Sequence, residues 1–220
     1  MSNSCQFCRE FETGKIEIKT KDTKLKIDRV ILPSENFLIF PSLGQIVEGY
    51  LLIVPKEHYI SVAQIPNKHY NELREVQEKV RRVLTKHYSK PIFFEHGPLS
   101  KQERAGCCVE HAHLHAVPTK ARLLDEITKH FQYRKIKNFS ELPTKTAYLF
   151  LEENNEKYVF PIKEVIPPQY LRQVLAAKLG VPEKWDWREY LGIEELQNTI
   201  RKLKNHHTFL NNPNKDYKCK

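Results

Sequence analysis

Three histidines separated by single apolar residues constrain the fold of this chain more than any other feature. Residues 111–117 read His-Ala-His-Leu-His-Ala-Val and are followed by Pro118. Alternate side chains of a β-strand point to opposite faces, so the pattern predicts a strand that carries His111, His113 and His115 on one face. The small apolar residues on the other face belong against a hydrophobic core.

Two simpler interpretations of this strand compete with a catalytic one. The histidines could form a solvated, pH-sensitive polar face, or a metal site built from this strand alone. Neighbouring side chains on one face of a strand are about 6–7 Å apart, which is too far for all three imidazoles to share one metal comfortably. The spacing therefore argues against a metal site built from this strand alone.

The cysteines indicate a metal site. The chain has 5 cysteines: a Cys5-x-x-Cys8 pair, the adjacent Cys107 and Cys108, and Cys219. An odd number argues against a disulfide framework, and in a reducing compartment the pair indicates a metal site, a thioredoxin-like redox pair or a free dithiol. The redox interpretation needs a strand directly before the pair, which residues 1–4 do not supply. Structural zinc would require two further ligands.

The remaining pattern predicts an α+β fold in which helices flank an antiparallel sheet. Strands are predicted at residues 15–20, 25–32, 37–40, 50–54 and 91–95, with a hairpin formed by 146–151 and 157–160. Helices are predicted at residues 67–87, 122–131, 168–179 and 193–203. We divide the chain into a domain at residues 1–120 and a C-terminal α/β extension at residues 121–220 that combines helices with the hairpin.

The charge of the chain favours polyanionic ligands such as nucleotides or nucleic acid. Its 36 Lys and Arg against 27 Asp and Glu give a net charge of +9. Six basic residues less Asp216 give +5 between Thr199 and Lys220, so this basic tail is either a nucleic-acid contact or a solvated end. No apolar stretch approaches the about 18–20 residues of a membrane span, and no secretory signal is apparent, so we expect a cytoplasmic protein without membrane contact.

With these residues in view, the sequence resembles the histidine triad family of nucleotide-binding hydrolases and transferases. The segment 111–117 is similar to the family's His-x-His-x-His-x-x motif, and Gly49 to His58 resembles its strand ending in Pro-Lys-x-His. Cys5-x-x-Cys8 resembles the N-terminal pair of the zinc-containing bacterial branch, and residues 106–110 match the turn that cradles phosphate. The resemblance covers roughly residues 1–120 and implies the histidine triad fold.

The resemblance implies covalent chemistry at His113. A neutral imidazole is a nucleophile near pH 7, so His113 would attack the α-phosphate of a nucleotide and form a nucleotidyl-histidine. His115 would contact the phosphate or the leaving group. Backbone N–H groups near Cys107, Cys108 and Val109 would hold developing negative charge. The implied enzyme is a hydrolase or nucleotidyl transferase acting on dinucleoside polyphosphates, nucleoside phosphoramidates or adenylated compounds.

The resemblance also supplies the two missing metal ligands. In zinc-containing members, the first histidine of the triad and the Pro-Lys-x-His histidine join the two cysteines, which implies a structural Zn²⁺ held by Cys5, Cys8, His58 and His111. Two thiolates and two imidazoles form a closed tetrahedral site. Such a site would tie the N-terminal segment to the strand that holds His113.

Three departures from the family pattern concern substrate recognition. Tyr50 stands where many members have a histidine, and no acid occurs at residues 41–43, where members place an aspartate for the ribose hydroxyls. We assign a substrate contact to Ser42 in that segment. His96 falls where members have an asparagine, and we assign it a contact to the phosphate or leaving group, with a solvated loop histidine as the alternative.

The extension suggests other interpretations. Residues 168–172 and 185–188 are weakly similar to the C-terminal region of splicing- and lariat-processing-associated proteins that carry a related triad domain. The chain could therefore process nucleotidylated DNA or RNA ends, or act as a non-catalytic nucleotide- or RNA-binding adaptor. The extension itself could be a helical lid or an oligomerisation element, and by analogy with the family we expect a homodimer.

Overall fold

The computed structural model describes residues 5–19, 24–100, 102 and 105–204. Its helices are α1 (Gln6–Thr13), α2 (Tyr70–His87), α3 (Leu124–Ile127), α4 (Tyr170–Lys178) and α5 (Ile193–Lys204). Its strands are β1 (Ile16–Lys19), β2 (Lys24–Ile27), β3 (Leu32–Pro33), β4 (Phe37–Pro41), β5 (Leu51–Pro55), β6 (Pro91–Gly97), β7 (Leu114–Pro118), β8 (Arg134–Ile136), β9 (Ala147–Glu153) and β10 (Glu156–Ile162). The predicted basic tail lies outside the described residues from position 205 onward, as does Cys219.

Eight strands of the described chain form one antiparallel sheet, in the order β3-β4-β5-β7-β6-β9-β10-β8. The predicted α+β class with flanking helices is confirmed. Because β9 pairs with β6 through Phe93–Gly97, the sheet continues across residue 120, where we divided the chain, and that division stays a prediction. Within the described ranges, no helix combines the length and apolar character needed to cross a bilayer.

The two faces of the sheet carry separate hydrophobic clusters, as the alternation of strand side chains requires. On one face, Val76 and Val80 of α2 pack in the same cluster as Leu114 of β7. On the other face, Phe7 of α1 and Leu171 of α4 belong to one cluster. Helices α1 and α4 therefore cover the face opposite to α2.

The histidine segment forms a shorter strand than we predicted. β7 begins at Leu114, so His115 lies in the strand while His111 and His113 precede it. The neighbouring strand β5 ends at Pro55, which has no N–H group to continue the ladder. The Pro55 carbonyl accepts a hydrogen bond from the His111 ring instead, at 2.8 Å.

Helix α3 is also shorter than the predicted helix at residues 122–131. A carboxylate oxygen of Glu153 accepts a hydrogen bond from the backbone N–H of Leu123 at 2.7 Å, which satisfies a donor at the helix start. Beyond Ile127 the chain continues as a turn, with the His130 N–H donating to the Ile127 carbonyl at 3.1 Å.

The C-terminal extension packs against the turn between β4 and β5. The backbone N–H of Gly44 donates to the Leu191 carbonyl at 2.8 Å, and the hydroxyl of Thr199 donates to the Gln45 side chain at 3.0 Å. Gly44 has a φ of +65°, and a Cβ at this position would lie 2.5 Å from the Trp187 Cβ. Only glycine permits both this backbone conformation and the close approach of the extension.

Candidate active site and metal cluster

The predicted metal ligands Cys5, Cys8, His58 and His111 lie together in the structure. Their ligand atoms are all within 4.8 Å of one another. The Cys5 Sγ is 3.4 Å from the His111 Nδ1, and the Cys8 Sγ is 3.4 Å from the His58 Nδ1. Sulfur and nitrogen ligands of a tetrahedral zinc, at about 2.3 and 2.0–2.1 Å from the metal, are about 3.6 Å apart. The cluster is therefore compatible with zinc.

The orientation of the His111 ring suits a metal ligand. A carbonyl oxygen can only accept a hydrogen bond, so the contact with Pro55 places the ring proton on Nε2. The lone pair is then on Nδ1, which faces both cysteine sulfurs. Burial raises the pKa of the Cys5 thiol to about 11, so a bound cation would be needed to hold this residue as a thiolate at neutral pH.

Helix α1 carries the cysteine pair and is also held to the sheet by a buried ion pair. The guanidinium of Arg29 donates two hydrogen bonds of 2.7 Å to the Glu10 carboxylate and one of 2.6 Å to the Pro41 carbonyl. The Phe7 ring meets the His111 and His113 rings edge-on, each at a centroid distance of 5.7 Å. Helix α1 therefore contacts the metal cluster and the neighbouring histidine at once.

A cavity lies beside the metal cluster. The residues that we predicted for catalysis and substrate binding all line it, together with residues from α1, the β4–β5 turn and the extension. These predicted residues are Ser42, His96, Cys107, Cys108, Val109, His113 and His115. The structure thus brings the predicted residues to one place, and their individual roles remain predictions.

The tautomer of His113 is the opposite of the His111 tautomer. The His113 Nδ1 lies 2.6 Å from the His111 carbonyl oxygen, so Nδ1 carries the proton and Nε2 carries the lone pair. Burial is the main cause that lowers the pKa of His113 to about 4, and the positive charge of Arg172 lowers it further. The imidazole is therefore neutral at pH 7, which is the form that acts as a nucleophile.

His115 lies 4.7 Å from His113 between ring centroids and is held in a fixed position. Its ring stacks on Phe94 at 4.4 Å, and its Nδ1 is 2.8 Å from the Tyr50 hydroxyl. Burial lowers the pKa of His115 well below its usual range, so this imidazole is neutral as well. Tyr50, the departure from the family pattern, thus becomes the hydrogen-bonding partner of His115.

Two predicted substrate residues already have partners within the protein. The His96 Nε2 accepts a hydrogen bond from the Leu171 N–H at 3.0 Å, which connects β6 to the first turn of α4. Burial lowers the pKa of His96 to about 3, which preserves the neutral, accepting form. The hydroxyl of Ser42 donates to the Leu43 carbonyl at 2.8 Å. Both residues line the cavity, and His96 also has a structural role.

The turn before the histidine segment is closely packed against the extension. Gly106 has a φ of +74°, and a Cβ there would lie 2.6 Å from the Pro167 carbonyl oxygen. The Gly106 carbonyl accepts a hydrogen bond from the Gln169 N–H at 2.7 Å. The predicted phosphate-binding turn is therefore supported from outside the motif region.

The extension contributes three cavity residues that were not among the predicted site residues: Gln169, Arg172 and Trp187. Arg172 is 2% exposed and donates to the Gly44 carbonyl at 2.7 Å and to the Trp185 carbonyl at 2.8 Å. The sequence carried two signals. One was the weak similarity of residues 168–172 and 185–188, which contain all three residues. The other was a charged residue beside the apolar face of α4, a pattern that more often marks a solvated position.

Comparison with known proteins identifies related sequences. The model of a family described as "Protein similar to CwfJ C-terminal" matches residues 1–132. The chain is 28% identical over 181 residues to zinc finger CCCH domain-containing protein 64 of Arabidopsis thaliana, covering 72% of this chain and 29% of the relative. It is 27% identical over 171 residues to CWF19-like protein 1 of Pongo abelii, covering 71% of this chain and 31% of the relative. The chain thus spans less than a third of the length of these relatives.

Similar solved structures include histidine triad proteins. A zinc-bound histidine triad family protein from Mycobacterium smegmatis is 24% identical, with a TM-score of 0.43 over 55% of this chain and 78% of that chain. A hypothetical histidine triad nucleotide-binding protein from Sulfolobus tokodaii is 14% identical, with a TM-score of 0.41 over 92% of this chain and 98% of that chain. The family model groups the chain with CwfJ-type proteins rather than with the bacterial branch that the Cys5-x-x-Cys8 spacing suggested. Because this model matches residues 1–132 of the 220, the chain belongs to the family of proteins similar to the CwfJ C-terminal region.

Proposed function

We propose that this protein is a nucleotide hydrolase or nucleotidyl transferase in which His113 forms a covalent nucleotidyl intermediate. The observation that carries the proposal is the tautomer of His113. Its Nδ1–H donates to the His111 carbonyl at 2.6 Å, which leaves the Nε2 lone pair for a phosphorus atom in the cavity. A low pKa keeps this lone pair available at neutral pH.

The first half of the reaction transfers the nucleotidyl group to His113. The Nε2 lone pair attacks the α-phosphorus, the bond from phosphorus to the leaving group breaks, and its electron pair departs with the leaving group. The imidazole then carries a positive charge, which the His111 carbonyl stabilises by accepting the Nδ1 proton in a hydrogen bond. In the second half, water or another acceptor attacks phosphorus, the P–N bond breaks, and His113 returns to its neutral form.

His115 is proposed to bind the phosphoryl oxygens. If the Tyr50 hydroxyl donates to Nδ1, the proton of neutral His115 is on Nε2, where it can be donated to an anion. Stacking on Phe94 fixes the plane of the ring and therefore the direction of this donor. Such a donor stabilises negative charge that develops during the transfer.

The metal cluster is proposed to hold a structural Zn²⁺ through Cys5, Cys8, His58 and His111. Four protein ligands leave no open position for substrate, as expected of a structural site. The chemistry that zinc would supply is neutralisation of the two thiolates and fixation of the α1 N-terminus. The chain's own residues position His113, whose hydrogen-bond acceptor is the carbonyl of the ligand His111.

The proposal is tested by trapping the intermediate. Zinc-loaded wild-type protein is mixed with an adenine dinucleoside polyphosphate or adenosine phosphoramidate, quenched rapidly, and examined by intact mass spectrometry. We expect a nucleotidyl adduct or product in the wild type and neither in His113→Ala. His130→Ala is the matched control, because His130 is exposed on the surface and does not line the cavity. A folded wild type that yields neither species contradicts the proposal for these substrates.

The second candidate is processing of nucleotidylated DNA or RNA ends. It is favoured by the net charge of +9 and by the similarity of residues 168–172 and 185–188 noted above. A 5′-adenylated oligonucleotide in the same assay separates the two candidates. An end-processing enzyme should bind this substrate with an affinity that falls steeply as salt rises, because its basic residues displace counterions from the phosphates. An adaptor should bind with the same salt dependence and form no adduct.

A further inference from the structure

The guanidinium of Arg172 is an unusual component of the cavity wall. This side chain is buried, and two of its nitrogens donate to the carbonyls of Gly44 and Trp185. Its Nη1 is also buried and has no acceptor in hydrogen-bond geometry among the described residues. The nearby Tyr50 hydroxyl still senses the guanidinium, which opposes the rise that burial causes in the pKa of Tyr50. A buried donor without a partner is rare in folded proteins, which indicates a missing partner.

The charge of Arg172 also has no anionic partner among the described residues. The two acceptors that it contacts are the carbonyls of Gly44 and Trp185, and it forms no ion pair with a carboxylate in this part of the chain. Arg29 lines the same cavity and shows the opposite situation, because the Glu10 carboxylate neutralises it through two hydrogen bonds of 2.7 Å. A buried cation is ordinarily paired with an anion, so we expect an anionic group of a ligand to bind at Arg172.

Arg172 lies close to the histidines, so an anion that pairs with it would bind beside them. Its guanidinium carbon lies 5.2 Å from the centroid of the Tyr50 ring, and the Tyr50 hydroxyl is 2.8 Å from the His115 Nδ1. Both Arg172 and His113 line the cavity. An anion that enters this space therefore meets the guanidinium and the imidazoles together.

Gln169 adds an unpartnered acceptor to the same wall. The residue is 4% exposed, and its amide nitrogen donates to the Asp186 carboxylate at 3.0 Å, which identifies the remaining side-chain atom as the oxygen. That Oε1 is buried and accepts no hydrogen bond within the described residues. The cavity wall thus contains a cationic hydrogen-bond donor, the Arg172 Nη1, and a neutral acceptor, the Gln169 Oε1, neither of which has a partner within the described residues.

We infer that the start of α4, its N-cap residue and first turn, is a substrate-binding element, in which Arg172 binds a phosphoryl oxygen and Gln169 accepts a hydrogen bond from a sugar hydroxyl. The inference rests on the proposed function for the class of ligand, a nucleoside phosphate. It assigns to the extension a binding role in the cavity that the histidine motif alone does not provide. A ligand that supplies both an anion and a hydroxyl donor satisfies both buried atoms.

The test measures binding without catalysis, so it does not depend on the covalent step. Isothermal titration calorimetry compares AMP, adenosine and inorganic pyrophosphate as probes on zinc-loaded protein. We expect Arg172→Gln to weaken the binding of AMP and of pyrophosphate by about 10- to 100-fold. The affinity for adenosine should be unchanged, because only the first two probes carry phosphate. Arg201→Gln removes the same charge from an exposed position on α5 and is expected to bind all three probes like the wild type.

Gln169→Leu should produce the complementary result. The affinities for AMP and adenosine should fall several-fold, because both carry ribose hydroxyls, while the affinity for pyrophosphate should be unchanged. If Arg172→Gln does not fold, Arg172→Lys retains the charge but not the planar fork, and AMP should weaken several-fold while adenosine is retained.

Three outcomes would overturn the inference. The wild type binds none of the probes, or Arg172→Gln folds and binds AMP like the wild type, or this variant weakens AMP and adenosine equally, as a collapsed cavity would. Failure of the proposed function looks different, because no adduct forms at His113 while AMP still binds with a dependence on Arg172.

Discussion

The metal cluster and the adjacent cavity use histidines that are two residues apart in opposite ways. The His111 ring donates from Nε2 to the Pro55 carbonyl and turns Nδ1 toward the cysteines. The His113 ring donates from Nδ1 to the His111 carbonyl and leaves Nε2 for the cavity. The difference teaches that a backbone carbonyl behind each ring, rather than the residue type, decides which nitrogen is available for chemistry.

The largest expected effect comes from a variant that removes the nucleophile of the cavity and leaves the metal cluster intact. In His113→Ala the nucleophile is lost, and we expect turnover of a dinucleoside polyphosphate to fall by at least about 10³-fold. Zinc content, measured by elemental analysis, should match that of the wild type, because His113 is not among the four cluster residues. Substantial residual turnover would mean that another group performs the attack.

The next effect breaks the cluster. Cys8→Ala removes one of four ligands, and we expect loss of bound zinc and a decrease in the thermal unfolding midpoint of about 10 °C or more. Calorimetry with and without a chelator provides the measurement. Cys108→Ala is the matched control, since Cys108 lies outside the cluster and should retain both zinc and stability. A Cys8→Ala protein with full metal content contradicts the ligand assignment.

A third change sharpens the comparison within the cavity. Tyr50→Phe removes the hydroxyl that is 2.8 Å from the His115 Nδ1, so the tautomer with the His115 proton on Nε2 is no longer favoured. We expect turnover to fall by about 10- to 100-fold, as for other residues that orient a functional histidine. Metal content should be unchanged. Equal turnover in the variant and the wild type would show that the Tyr50 hydroxyl is dispensable.

A fourth effect concerns pH and the His96 link between β6 and α4. The folded-state pKa of His96, about 3, is below its unfolded value of about 6.5, so the unfolded chain binds more protons in acid. The stabilisation is therefore complete above about pH 6.5 and is lost as pH falls toward 3, at up to about 1.4 kcal/mol per pH unit. Urea unfolding at several pH values measures this slope.

Glu95 is a second buried group, and it has the opposite effect on the pH dependence of the free energy of unfolding. The contribution of His96 is therefore measured as the difference in slope between the wild type and a His96 variant. Burial raises the pKa of Glu95 to about 7, which makes the folded state lose stability as pH rises from about 4.5 to 7. A His96→Gln variant retains the Glu95 contribution and should show a shallower loss of stability in acid than the wild type. Identical slopes in the two proteins would contradict the role assigned to His96.

The sequence indicated which residues would lie together where chemical residue types recur at characteristic spacings. The Cys5–Cys8 spacing and the alternating histidines identified residues that the structure brings together in the cluster and the cavity. The α+β class followed from strand and helix periodicity. The start of β7 at Leu114 was not predicted, because it depends on the pairing with β5, in which Ile53 lies opposite Leu114.

The contribution of the extension could not be predicted for a related reason. Arg172 and Gln169 reach the cavity because α4 packs on the sheet, where the Leu171 N–H donates to His96, a residue 75 positions earlier in the chain. No local spacing encodes such a contact. The sequence showed an apolar stripe on α4 but could not show which polar neighbours of that stripe would be buried.

The pairing of β6 with β9 has a consequence for how this family is divided into fragments. The family model ends at residue 132, before β9 begins at Ala147. A fragment cut at that limit would leave Phe93–Gly97 of β6 as an open sheet edge, with its backbone groups exposed and strongly apolar neighbours beside them. Such edges recruit strands from other chains, so we expect the fragment to aggregate, whereas the chain that extends through β10 protects its own edge.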